Sequence, residues 1–189
     1  MNCKCELSNV TKDYLERFHY ILDEMIEGMT EVDLTNSISH NFIVQMIPHH
    51  QAAIEMSRNI LKYTTFMPVQ DIATQIIAEQ TKSIENMLDV ESACSELVNS
   101  QQDVSLYQNC VNQIIQTMFN EMSSAYTDNQ INANFMREMI PHHKGAIRMS
   151  RNVLRYDICP ELNPILCAII ESQEKGVLQM ERLLCCSGC

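Results

Sequence analysis

The 189-residue chain has no tryptophan, four glycines and five prolines, while Leu, Ile, Met, Glu and Gln are plentiful. That balance favours an all-helical protein. Positive charge is also scarce: 13 Lys and Arg stand against 24 Asp and Glu, a net charge of −11. Phosphate backbones are held by clustered Lys and Arg, so a nucleic-acid partner is excluded. No apolar run is long enough for a transmembrane helix, and no membrane partner is expected. The first residues, "MNCKCELSNVTKDYLERF", lack the apolar core of a signal peptide, and the expectation is a cytoplasmic protein. Glycine-rich phosphate loops and a catalytic serine or cysteine arrangement are missing too, so no enzyme activity is expected.

What the chain does hold is methionine, 13 in all, and nine cysteines. Methionine is an adaptable core filler and also a soft thioether ligand. Five of the cysteines (Cys3, Cys5, Cys185, Cys186 and Cys189) crowd the chain ends in "CKC" and "CCSGC". In a reducing compartment a disulfide framework is not expected. Cys94, Cys110, Cys159 and Cys167 are expected as small buried apolar residues. The acidic residues lie mostly in residues 1–98, near −9, against about −2 for residues 99–189, a solvated face that also favours the approach of cations.

Two stretches, "MIPHHQAAIEMSRNIL" from Met46 and "MIPHHKGAIRMSRNVL" from Met139, lie 93 residues apart. The offset persists outside them: Tyr14 matches Tyr107, Met25 matches Met118, and Gln80 matches Gln173. From Asn41 to Tyr63, 15 of 23 positions are identical to their partners. The pattern reads as an ungapped tandem duplication, with residues 1–98 and 99–189 as two units sharing one core. In each unit the apolar spacing of three and four predicts three helices. In the first unit they run from about Thr11 to Gly28, Asn36 to Tyr63 and Pro68 to Leu97. The second unit restarts at about Asp103, Asn129 and Glu161. Short links between them favour antiparallel neighbours and hence a bundle.

On a helix that advances about 100° per residue, His49, His50, Met46, Ala53 and Met56 fall within about 120° of arc. Phe42 and Ile60 share that arc, so it is the buried stripe. His142, His143, Met139, Ala146 and Met149 repeat it. A single histidine on such a stripe is ordinarily a satisfied core residue. Burying two adjacent imidazoles, twice over, costs free energy unless their nitrogens find partners. Pro48 and Pro141 should kink or break the helix, either re-aiming the histidines that follow or merely improving packing.

The segments "NFIVQMIPHHQAAIEMSRNIL" and "NFMREMIPHHKGAIRMSRNVL", followed by "IIAEQTKSIENM" and "IIESQEKGVLQM", resemble the signature of the domain of unknown function 305 family. The resemblance implies a ferritin-like four-helix bundle, and members implicated in copper binding or tolerance through His and Met. Carried over position by position, the implied ligands are Met46, His49, His50, Met56 and Met87, with Met139, His142, His143, Met149 and Met180. Many members have an acid where this chain has Ser39, Asn132, Ser83 and Gly176, and many are exported.

The donor set agrees with the resemblance. Ferritin-like di-iron enzymes use Glu-x-x-His pairs; here Glu16 and His19 give one formal match, on the first helix, and the core motif is Met-x-x-His. Thioether and imidazole on one face suit copper, Cu(I) above all, and imidazole alone would accept Zn(II). The sequence therefore predicts an all-α bundle. The second and third helices of each unit form its central four, with two additional helices alongside. With the resemblance, the expected function is copper binding for buffering or tolerance, and a homo-oligomer is compatible with it. Two alternatives stay open: a structural or interaction bundle with a polar His/Met core, and metal binding by the terminal cysteines.

Overall fold

The computed structural model describes residues 6–186, which places Cys3, Cys5 and Cys189 outside the described residues. Six helices follow one another: α1 (Asn9–Thr30), α2 (Ile38–Ile60), α3 (Met67–Ser95), α4 (Gln101–Ser123), α5 (Ile131–Val153) and α6 (Leu162–Cys186). Among the described residues there is no strand. The starts are set by local chemistry. Ser8, Ser37 and Ser100 each accept a hydrogen bond from the backbone N–H three residues on, satisfying a donor that has no partner inside the helix. Pro68 stands in the first turn of α3, where its missing N–H costs nothing.

Packing follows chain order within each half, α1 on α2 on α3 and α4 on α5 on α6. The halves meet mainly through α2 against α5 and α3 against α6. Helices α2 and α5 are the axis of the molecule: 16 of 23 residues are buried in each, against eight or fewer in any other helix. The four central helices are thus α2, α3, α5 and α6, with α1 and α4 laid alongside. The expected helix bounds hold to within a few residues, and α2 and α5 have equivalent limits, 93 residues apart.

Several contacts recur at that offset. The Asn41 side chain accepts from the Thr35 N–H and donates to the Thr35 carbonyl, folding the α1–α2 link onto the start of α2. Asn134 does the same for Asp128 ahead of α5. Asn59 and Asn152 donate to the carbonyls of Tyr14 and Tyr107, tying α1 to α2 and α4 to α5.

Three expectations need correction. Helices α2 and α5 run unbroken through Pro48 and Pro141, so of the kink or break expected at the prolines the break is overturned. Pro48 faces Gly28 of α1, where a Cβ would stand 2.8 Å from the proline Cβ; its ring fills a close helix crossing. Second, Cys94 at the end of α3 and Cys159 in the α5–α6 link form a disulfide across 65 residues of chain. The two are not equivalent positions in the two halves, so the internal match could not pair them; the bond exists because the end of α3 meets the other half's link. Third, only these two of the four internal cysteines are buried: Cys110 is half-buried and Cys167 exposed, because both lie off the inward stripes of α4 and α6.

Candidate metal centre

The histidine pairs sit midway along α2 and α5, where those helices cross. His49, His50 and His142 are fully buried and His143 nearly so. The rings of His49 and His142 stack, with centroids 3.7 Å apart and planes 28° apart. His49 Nε2 lies 3.3 Å from the His142 carbonyl oxygen, and His142 Nε2 lies 3.1 Å from the His49 carbonyl oxygen. A carbonyl only accepts, so both rings carry their proton on Nε2, and both Nδ1 atoms keep a lone pair. The two halves exchange the same bond in both directions.

His50 and His143 flank this pair, each about 6 Å from its neighbouring ring. Here the halves differ. His50 Nε2 is 3.0 Å from the Ser83 hydroxyl of α3. The position equivalent to Ser83 is Gly176 of α6, and a Cβ there would stand 2.8 Å from His143 Cδ2 and 2.9 Å from Nε2. Glycine is needed because the imidazole occupies the space of a side chain. In all four rings the buried Nδ1 has no hydrogen-bond partner.

Burial holds all four imidazoles neutral. It lowers His50 to about 3 and His142 to about 4. His49 and His143 also lie well below the ordinary histidine value, from burial first and then from the other imidazoles of the cluster. A charged imidazolium is poorly solvated there and repelled by its neighbours.

The structure brings both histidine pairs to one place. Met46, Met56, Met87, Met139, Met149 and Met180 are all buried in the same core. Among the described residues no three His, Cys, Asp or Glu side chains form a group that could hold a metal ion. The four unpartnered Nδ1 atoms and the thioethers nevertheless fit a soft cation in donor chemistry, since each is an uncharged donor held away from water. Glu16 and His19 are both exposed on α1 and away from this cluster. Cys185 and Cys186 are free and exposed near the end of α6.

Sequence reasoning missed a buried acid. Glu138 of α5 is 2 % exposed and accepts a 2.7 Å hydrogen bond from the Tyr14 hydroxyl of α1, in the other half. Burial raises its carboxyl to about 8, against a lowering by the Tyr14 bond. The equivalent pair is Gln45 and Tyr107. There the Tyr107 hydroxyl and Gln45 Oε1 are both unpartnered, and the Gln45 amide donates to the Met29 carbonyl instead. The signal was available, because position 138 lies on the same inward arc as the histidines.

The model of a domain of unknown function (DUF305) matches residues 39–184, more than half of the chain. The protein belongs to the DUF305 family. Two solved structures share the fold. A DUF305 fragment from Deinococcus radiodurans is 21 % identical with a TM-score of 0.57, over 78 % of this chain and 95 % of that one. CopM in the Cu(II)-bound form is 24 % identical with a TM-score of 0.56, over 77 % of this chain and 95 % of that one. No curated protein matches the chain. At such identities the two neighbours speak for the helical bundle and leave the chemistry to this chain's own residues.

Proposed function

We propose that this DUF305 protein binds copper at the α2–α5 crossing and buffers it, without catalysing a reaction. The observation that carries this is the cluster of four neutral, buried imidazoles whose Nδ1 atoms have no partner. A buried polar atom left unpaired costs about 1–3 kcal/mol, and four in one cluster mark a place that a ligand would relieve. Imidazole and thioether donors favour Cu(I), and imidazole alone would take Zn(II). Met46, Met56 and Met87 from one half and Met139, Met149 and Met180 from the other would supply the thioethers. The Cu(II)-bound form of CopM supports copper as the metal to test first.

Thiolates compete strongly for Cu(I). The test therefore replaces Cys3, Cys5, Cys110, Cys167, Cys185, Cys186 and Cys189 by serine and titrates the protein with Cu(I) against a chromophoric chelator. The expected result is a defined stoichiometry that falls by at least half in His49→Ala/His142→Ala. Unchanged uptake in that double variant overturns the proposal.

A second reading has its own observation. The Nε2 exchange between His49 and His142 by itself joins the halves, as a structural bundle with a polar core would require. It predicts no tight copper, and a double variant that loses stability rather than metal.

A further inference from the structure

The four imidazoles are at most 2 % exposed, so an ion bound among them needs a way in. His50 lines a groove of about 350 Å³ between α3 and α6, open to solvent on one side. Its walls carry Gln80 and Gln173, equivalent residues of the two halves, each 2 % exposed. The Oε1 atom of each is buried with no hydrogen-bond partner. Ser83 stands beside them, with its hydroxyl against His50 Nε2. Glu79 lies on the same wall, and Ala168, small and exposed, lines the groove from α6.

We propose that this groove is the port through which a metal ion reaches the histidine cluster, a role that rests on the copper-binding reading above. The physical requirement is a graded exchange of ligands. An ion leaving water loses its hydration oxygens, and bare apolar walls would offer nothing in return. Here the two unpartnered amide oxygens replace water oxygens midway and the imidazole of His50 is the first nitrogen donor met, while Glu79 and Lys82 both line the groove and balance its charge. Ser83 occupies that nitrogen until the ion arrives, and its hydroxyl moves away at low cost because it is itself half-buried and able to turn toward the groove. The other half has no counterpart of this contact, because position 176 is a glycine packed directly on His143. The path is therefore one-sided: His50 is met first, the stacked His49–His142 pair next, and His143 last.

The test follows the rate of Cu(I) transfer from a bicinchoninate complex to the full chain, in the serine background described above, by stopped-flow absorbance. Ala168→Trp places a large ring in the groove without touching a core residue. It should slow transfer at least tenfold and leave the final stoichiometry unchanged, whereas Leu178→Trp, on an exposed part of α6 away from the groove, should leave both unchanged. Gln80→Leu/Gln173→Leu keeps the side-chain volume and removes both amide oxygens; it should also slow transfer at the same endpoint, and it keeps the test decisive if the tryptophan variant does not fold. Ser83→Ala should speed transfer. Full uptake at the wild-type rate in the leucine pair and in a folded Ala168→Trp protein overturns the port and leaves copper binding standing. A wild-type chain that takes up no copper overturns both.

Discussion

At the residue scale the molecule keeps opposite kinds of buried titratable group in one core, and they pull its stability in opposite directions with pH. The four central histidines have folded values below the ordinary 6.5, near 3 for His50 and near 4 for His142. Below pH 6.5 the unfolded chain takes up protons that the folded chain refuses, so stability falls as pH drops from 6.5 toward 4. Glu138 acts in reverse. Its folded value near 8 lies above the ordinary 4.5, so the folded chain keeps a proton that the unfolded chain releases, and stability falls as pH rises from 4.5 to 8. Glu138→Gln, which installs the amide already present at Gln45, should remove the alkaline limb only. Urea unfolding of the metal-free protein should show the wild type losing on the order of 2 kcal/mol between pH 6.5 and 8, since each pKa unit is worth about 1.4 kcal/mol, while the variant stays flat there. Both should weaken below pH 6. A variant that keeps the alkaline slope would mean that another group carries it.

At the scale of the helix, glycine and proline act here as spacers between helices. Gly28 admits the ring of Pro48, and a ring fixed to its own backbone has no means of retreat. Gly28→Ala should therefore destabilise by about 1–3 kcal/mol, as overpacking does. Gly145→Ala faces Met118, an unbranched side chain with three rotatable bonds, and the equivalent residue in α2 is already Ala52. Its cost should be smaller, offset by the better helix propensity of alanine. Thermal unfolding of the two variants side by side gives the ordering, and an equal or reversed loss would contradict it. The helices themselves were legible in the sequence because apolar spacing and short links report directly on which residues face inward. The unbroken passage through both prolines was not, since that depends on what α1 places opposite the ring. The histidine face was legible for the same reason as the helices. The tautomers, the stacking of His49 on His142 and the contrast between Ser83 and Gly176 were not, because each is a contact between elements far apart in the chain.

At the scale of the whole molecule, the halves are held together by the α2–α5 crossing, by Tyr14 with Glu138, and by the Cys94–Cys159 disulfide. The disulfide closes a 65-residue separation, and loop entropy allows it at most about 4 kcal/mol. Cys94→Ala/Cys159→Ala should lower the unfolding midpoint in urea while leaving the helical circular dichroism of the folded protein unchanged; an unaltered midpoint would show that the bond contributes nothing to stability. Neither half presents a complete histidine cluster, because each stacked ring donates to the other half's backbone. Two separate copies of a half-length chain could build the same crossing only under strict two-fold symmetry, where every substitution appears twice. Joining the halves in one chain lifts that constraint. The two sides are then free to differ, as Ser83 opposite Gly176 and Gln45 opposite Glu138 do, so a single chain can have a direction that a symmetric dimer could never acquire.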